Sequence, residues 1–512
     1  RGVAYWSDGT NERIFLGSGR YLVALDAVTG NPLTEFGEGG VIDLAVDSDP
    51  RVTTYRWRSP PIVVRNAVIV GSQAMAPNRN WQTAPPGYVR AFDARSGELL
   101  WRFSPIPEPG DPAIETWADS SWAYTGNGNV WTLMSADEEL GHVYLPLKTT
   151  TNDWYGGHRL GDNLYGESVV AVDVETGERV WHYQMVRHGL WDYDPPAAPN
   201  VLDVVIDGRM RKVVAQVTKQ AFVFAFDRET GEPIWPIEDR RVPSSEVPGE
   251  VAAETQPFPT HPAPFDVQGI TIDDLIDFTP ELRAEAEAIV SEFVYGEMYT
   301  PPTVLDDRPG GTKGTILMPG WVGGANWGGA AVDPETGVLY VPSVTSPSVT
   351  ALVPPADPDS SDFNYVRGVP REVPMPSGLP LLKPPYGRIT AIDMNTGEHL
   401  WMRPNGQGPR THPAIAELDL PWLGQRGRAA PLLTKSLLFL GEGSEAALSI
   451  LPIAGGKFFR AWNKETGDVL WEIELAAGTS GAPMTYMANG RQFIVVGIGN
   501  EETPSQLVAL AL

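Results

Sequence analysis

Apolar and polar positions alternate along most of this chain in short runs, and the runs end on the same punctuation. Ala91-Phe92-Asp93 is followed by Ser96-Gly97 and then Trp101. Ala171-Val172-Asp173 leads to Thr176-Gly177 and Trp181, and Ala225-Phe226-Asp227 to Thr230-Gly231 and Trp235. The spelling returns at Ala391-Ile392-Asp393 with Thr396-Gly397 and Trp401, and at Ala461-Trp462-Asn463 with Thr466-Gly467 and Trp471. Ala24-Leu25-Asp26 with Thr29-Gly30 is a copy without the indole. Alternation with period two marks a strand, and Asp-x-x-Thr-Gly is turn chemistry whose Gly accepts positive φ. Each copy predicts a hairpin whose second strand ends in a large flat side chain.

A supersecondary unit repeated at this spacing predicts four-stranded blades of a β-propeller, with loops of unequal length. The wide step from Trp235 to Trp401 predicts a further blade between them, to which Ala331-Val332-Asp333 with Thr336-Gly337 and Tyr340 is assigned. Gln506-Leu507-Val508-Ala509-Leu510 is expected to close the ring beside an N-terminal strand, for six to seven blades in all. One region departs from period two. Residues 236–302 are Pro-rich, and Thr279-Pro280-Glu281 is an N-cap followed by Pro at the first helical position. Leu282, Ala286, Ile289 and Phe293 then recur at helical spacing, which predicts a short amphipathic helix over 280–293 on an insertion. Its apolar stripe is expected to serve packing.

Composition sharpens this picture in three ways. Gly (53) and Pro (48) are abundant while 42% of the 512 residues are apolar, which suits one large all-β domain over 1–512 and excludes a disordered chain. A formal net charge of −26 makes nucleic acid and anionic lipid unsuitable partners. With no Cys, disulfides, thiolate catalysis, thiolate metal sites and a Cys-x-x-Cys-His haem attachment are all excluded. No run of apolar residues reaches the roughly 18 needed to span a bilayer, and the chain as given shows no signal peptide.

Several segments, in order from Arg1 onward, resemble the PQQ-dependent (quinoprotein) alcohol, glucose and quinate dehydrogenases. They are Arg1-Gly2-Val3-Ala4-Tyr5-Trp6, Gly126-Asn127-Gly128-Asn129-Val130-Trp131 and Asp153-Trp154-Tyr155-Gly156-Gly157 with Gly161-Asp162-Asn163. His188-Gly189-Leu190-Trp191-Asp192-Tyr193-Asp194, Thr218-Lys219-Gln220 and Thr255-Gln256-Pro257-Phe258-Pro259 follow. Gly323-Gly324-Ala325-Asn326-Trp327-Gly328 and Ala482-Pro483-Met484-Thr485-Tyr486 complete the series. The resemblance implies an eight-bladed propeller with PQQ and a divalent cation, usually Ca2+, on its axis, and an N-terminal part carrying the first blade upstream of Arg1. It also implies a bacterial periplasmic location and an external electron acceptor, a cytochrome c or a quinone.

The same resemblance implies site residues. Asp192 is the general base that takes the alcohol proton, beside the metal, while Asp194 is expected to be a turn residue. Lys219 stands near the quinone oxygens, where positive charge meets the negative charge that develops on reduction. Trp131 is the floor beneath the planar cofactor and Trp327 a second ring-lining position. Arg1 binds a cofactor carboxylate, and Arg58, where relatives more often carry Thr, adds a second contact. The metal ligands are Thr151, Asp192 and Asn78, the last standing in for Ala76, which has no oxygen to give. The implied function is oxidation of a sugar, cyclic polyol or other secondary alcohol to a carbonyl. A cofactor-less propeller, or a non-catalytic one serving as a binding scaffold, is the alternative, and Ala76 is its main support.

Overall fold

The computed structural model describes residues 2–46, 48–52, 54–56, 59–75, 81–368, 373–444 and 455–511. Arg1, Arg58, Ala76 and Asn78 lie outside the described residues. Among the described residues seven sheets of up-and-down antiparallel strands follow one another along the chain, five with four strands and two with three. The first comprises Val3–Ser7, Glu12–Ser18, Tyr21–Asp26 and Val41–Asp43, and the last Met484–Ala488, Arg491–Ile498 and Gln506–Ala511. Apolar clusters lie where neighbouring sheets face each other. One such cluster joins Ile69 and Ala91 of one sheet to Val143 and Val170 of the next. This is the propeller that the repeat predicts.

The repeat itself is a docking device. The Asp or Asn side chain of a copy folds back onto its own turn: Asp173 Oδ1 accepts from Glu175 N and Thr176 N, both at 2.9 Å. The Gly that closes the turn has positive φ, 71° at Gly177 and 75° at Gly231. A second constraint acts on the same atom. A Cβ at Gly177 would meet the Trp101 ring at 2.6 Å, and one at Gly231 the Trp181 ring at 2.6 Å. The indole of one blade therefore lies flat on the turn of the next. Its N–H completes the contact, Trp101 Nε1 donating to Val174 O at 2.8 Å and Trp181 Nε1 to Arg228 O at 3.1 Å. Trp401 repeats this on Gly467 and Lys464 O.

Two expectations about the ring are corrected. Trp235 packs against Gly397 directly, so its blade and the blade of Trp401 are neighbours. Ala331–Val332 and Val338–Val344 are the first two strands of that same sheet, followed by Gly387–Asp393 and Glu398–Pro404. The wide step holds excursions instead of a further blade. Gln506–Ala511 pairs only with Arg491–Ile498 among the described residues, so it closes no ring with an N-terminal strand. Trp471 accordingly keeps 43% of its surface exposed and Leu507 81%.

The excursions form a cap. A hairpin of Ile237–Arg241 and Thr255–Pro259 is followed by the helix Pro280–Val290, capped by Thr279, whose hydroxyl accepts from Leu282 N. Leu282, Ala286 and Val290 are the buried face, and Ile289 and Phe293 only partly join it. The helix ends at Val290 because the chain turns there, Phe293 N donating back to Val290 O. A second excursion supplies Ser348–Val353 and Val366–Arg367, which share a sheet with Thr303–Val304 and Thr315–Leu317. Its apolar contacts, Leu352 and Phe363 against Tyr155 and Val247, fasten this cap over the Asp153–His158 loop.

Candidate active site

Segments on both sides of Arg159 and the Gly189 loop are stapled together by a single buried cation. Arg159 is wholly buried and donates to Thr151 O, Asn152 O, Asn163 Oδ1 and Gly189 O, at 2.6–3.0 Å. The glycines of these loops are spacing requirements. A Cβ at Gly189 would fall 1.6 Å from Glu167 Oε2, and one at Gly156 2.4 Å from His188 Nε2. Asp192 is joined to the same platform by its N–H, which donates to Asp153 O at 3.2 Å. Its φ of 57° lies in the left-handed region, which Asp tolerates better than most residues.

Around this platform acids and bases interlock in a largely buried cluster, with Asp192 keeping 14% of its side chain exposed. Lys219 sits after the strand Arg209–Val217 and before Val223–Asp227, its stem against Gly323. Its ammonium donates to Asp192 O at 2.5 Å and stands 3.5 Å from Asp192 Oδ1 and 3.4 Å from Asp194 Oδ1. Trp131 Nε1 donates to Asp194 Oδ2 at 2.5 Å, which fixes the plane of the half-buried indole. Lys148 Nζ holds Asp153 Oδ1 at 2.5 Å, and Thr149 Oγ1 donates to Glu167 Oε1 at 2.7 Å.

The two aspartates of one motif are driven apart electrically. Burial pushes the Asp192 carboxyl well above the ordinary range, and the neighbouring Asp194 and Asp153 add to this against the pull of Lys219. Burial acts on Asp194 in the same direction, yet Lys219, Lys148 and the Trp131 N–H hold it down at about 2. A pair of carboxyls split this way assigns a proton acceptor, Asp192, and a fixed anion, Asp194. Burial also lifts Glu167 to about 7.

The structure brings Asp192, Lys219 and Trp131 into one cluster. Thr151 is buried beside it, but its hydroxyl lies against Gly126 O at 3.4 Å and no bond joins it to Asp192. Trp327 is half-buried, three residues beyond Gly324, whose N–H donates to Lys219 O; among the described residues its indole makes no contact with the cluster. The assignment of Asp194 to a turn is corrected: Asp192 takes the turn conformation, and Asp194 is the buried anion beneath Lys219. Sequence reasoning also passed over Lys148, Arg159, Glu167 and Arg367. A charged residue abutting an apolar run, as Glu167 abuts Ser168–Asp173, was the one available signal. Arg367 gave none.

Similarity to known proteins agrees with this geometry. The family model described as PQQ, glucose/ethanol/alcohol dehydrogenase, beta-propeller domain, matches residues 1–494. The glycerol dehydrogenase large subunit of Gluconobacter oxydans (strain 621H) is 31% identical over 96% of this chain and 68% of its own length. The quinoprotein glucose dehydrogenase of Escherichia coli (strain K12) is 29% identical over 93% of this chain and 60% of its own. In the solved quinohemoprotein alcohol dehydrogenase of Comamonas testosteroni, the match covers 100% of this chain and 66% of that one, with a TM-score of 0.66 and 23% identity. The chain spans 60–68% of the length of these relatives.

Proposed function

The chain belongs to the PQQ-dependent β-propeller family of glucose, ethanol and alcohol dehydrogenases, and from that membership we propose that it oxidises an alcohol to a carbonyl and passes the electrons to an external acceptor. The observation that carries this reading is the pair Asp192 and Asp194 around Lys219, set on a platform whose glycines are spacing requirements. Isolating so many charges from water costs several kcal/mol per ion unless geometry repays it, and a mere scaffold has no use for that expense.

The residues fit the quinone. Trp131 offers a half-buried flat face held by Asp194, and Lys219 offers a cation beside it. Gly323, against the Lys219 stem, also lines a water-sized cavity where Ser343 Oγ and Asn405 Oδ1 are buried without a protein partner. For a divalent cation the described donors are fewer. Among the described residues no group of three or more His, Asp or Glu stands ready to hold one, and Asn78 lies outside them. Asp192 and Thr151 remain its proposed protein ligands.

When bound, the quinone accepts two electrons together with the carbon-bound hydrogen of the alcohol. Asp192 takes the hydroxyl proton, as the carboxylate that Lys219 and the Asp153 backbone hold at the platform. Lys219 holds positive charge where negative charge grows, and it fixes Asp192 through its backbone oxygen. Asp194 keeps Lys219 and Trp131 in place. A periplasmic location and a cytochrome c or quinone as acceptor belong to the same proposal. Among the described residues no helix is long and apolar enough to cross a membrane. The test is reconstitution of the chain with PQQ and calcium, followed by dye reduction with primary, secondary and sugar alcohols. A reduced dye with at least one alcohol is expected. No reduction with any of them, and no rise in melting temperature with PQQ, would end the reading.

A further inference from the structure

Every cation at the platform but one is committed to protein oxygens. Lys148 is held by Asp153, Lys219 by Asp192 and Asp194, and Arg159 by four oxygens. Arg367 is the exception. It ends the short strand Val366–Arg367 of the cap, and its guanidinium lies between two indoles, 4.3 Å from the Trp154 ring centroid and 5.0 Å from that of Trp321. Among the described residues it donates no hydrogen bond and makes no ion pair, and its Nε is buried without a partner. Trp154 follows Asp153 directly, and the charges of Asp192 and Asp153 both act on Arg367. Stacking repays part of the cost of drawing a guanidinium out of water, and it leaves the edge of the fork, five N–H donors in a plane, with no acceptor.

We propose that Arg367 anchors a carboxylate of the substrate, so that the alcohol oxidised at Asp192 is a hydroxy acid. This rests on the alcohol-oxidising reading and names its substrate class. The fork matches the two oxygens of a carboxylate, with parallel charge-assisted bonds. The negative charges of Asp192 and Asp153 act at the same place, which favours a monoanion over a doubly charged phosphate. The two indoles fix where the fork points, so that binding the acid group orients the rest of the molecule. A surface of net charge −26 does not attract anions by itself, and a dedicated cation is what such a substrate requires.

The experiment compares glycerate with glycerol, which share a skeleton and differ by the carboxylate, on the full chain loaded with PQQ and calcium. The ratio of kcat/KM for glycerate over glycerol is expected to fall about 10–100-fold in Arg367→Gln, through KM, with part of it restored in Arg367→Lys. Titration of PQQ into the unloaded chain, followed by tryptophan fluorescence, should give the same affinity in Arg367→Gln within about threefold, which also shows that the variant folds. An unchanged ratio overturns the assignment. So does a PQQ affinity weakened in step with the rates, because Arg367 then serves a cofactor carboxylate. Calorimetric titration of glycerate into the loaded chain separates the two readings. Glycerate that binds wild type but not Arg367→Gln, with neither alcohol oxidised, sustains the anchor and defeats the proposed function. Oxidation of both alcohols at a ratio indifferent to residue 367 does the reverse.

Discussion

Asp173 and Asp192 are the same residue type in two regions that treat it in opposite ways. Asp173, at the outer turn of its blade, accepts from Glu175 N, Thr176 N and the Thr176 hydroxyl. Slight burial raises its pKa, and those donors more than reverse this, so the carboxyl lies below its ordinary range. Asp192, on the inner platform, accepts no backbone N–H on its carboxylate among the described residues and lies among other acids, so burial drives it upward against the pull of Lys219. The outer carboxylate is a permanent anion that shapes a turn. The inner one is poised to change its charge. Donors, more than depth alone, decide the matter, since Asp194 is as buried as Asp192 and yet is held at about 2.

The strongest test of the inner half is Asp192→Asn. The amide keeps the shape and removes the base, so kcat of the PQQ-loaded chain at saturating alcohol should fall about 10²–10⁴-fold. A value within threefold of wild type would mean that the proton goes elsewhere. Lys219→Ala should cost somewhat less, about 10²–10³ in kcat, as the loss of one preorganised charge. It should also let the activity of Asp192 shift to higher pH, because Lys219 is the group that lowers its pKa. The base must be ionised to act, so the acidic limb of the pH–kcat/KM profile should move upward in the variant. An unmoved limb would separate Lys219 from Asp192.

Glu167 tests whether burial in this region costs stability. Its carboxyl is lifted by burial, and by Asp194, to about 7 against the bond from Thr149. A folded-state pKa above the unfolded one means the stability is fully present below about pH 4.5 and is lost as pH rises through 7. The loss amounts to about 3 kcal/mol at most. Glu167→Gln is neutral at every pH and should not share this decline. Denaturant midpoints of both proteins at pH 4.5 and pH 8 check it, and parallel declines would place the cost in other groups.

The outer region was legible in the sequence because its interactions are local. Asp-x-x-Thr-Gly carries its own hydrogen bonds within four residues, and the docking Trp follows at fixed distance. Only the second reason for the Gly, the face of the previous blade's indole, needed the structure. The inner region draws Lys148, Glu167, Asp192, Lys219 and Arg367 from separate strands and loops, and no periodicity relates them. Asp192, Lys219 and Trp131 were reached through resemblance to a family, whereas Asp194 was misassigned because Trp-Asp-Tyr-Asp reads equally well with either acid in the turn. Arg367 lies in a segment with no repeat and no motif, and its role depends on two indoles, Trp154 and Trp321, from other parts of the chain. The excursion between Trp235 and Trp401 is not legible as such, because a gap in a repeat says how much chain is there and nothing of where it goes.

The smallest expected effect belongs to Asp173 and sharpens the contrast most cheaply. Its pKa is lowered on folding, so it contributes stability above the unfolded-state value, and that stability fades as pH falls through the folded one. Asp173→Ala removes the acceptor for two backbone N–H groups of a turn, a loss of about 1 kcal/mol at neutral pH, with kcat untouched because the turn is far from the platform in the hydrogen-bond network. Asp173→Asn should behave differently. Asn463 already occupies the equivalent place in another blade, where its Oδ1 accepts from Glu465 N at 2.8 Å and Thr466 N at 3.2 Å. The amide therefore keeps the turn and discards only the charge. Denaturant midpoints at pH 7 should rank wild type and Asp173→Asn together above Asp173→Ala. Between pH 5 and pH 3 wild type should lose the part of its stability that Asp173→Asn never had. If Asp173→Asn fell with Asp173→Ala at pH 7, the negative charge itself would be what the turn needs, and the outer and inner aspartates would differ less than their hydrogen bonds imply.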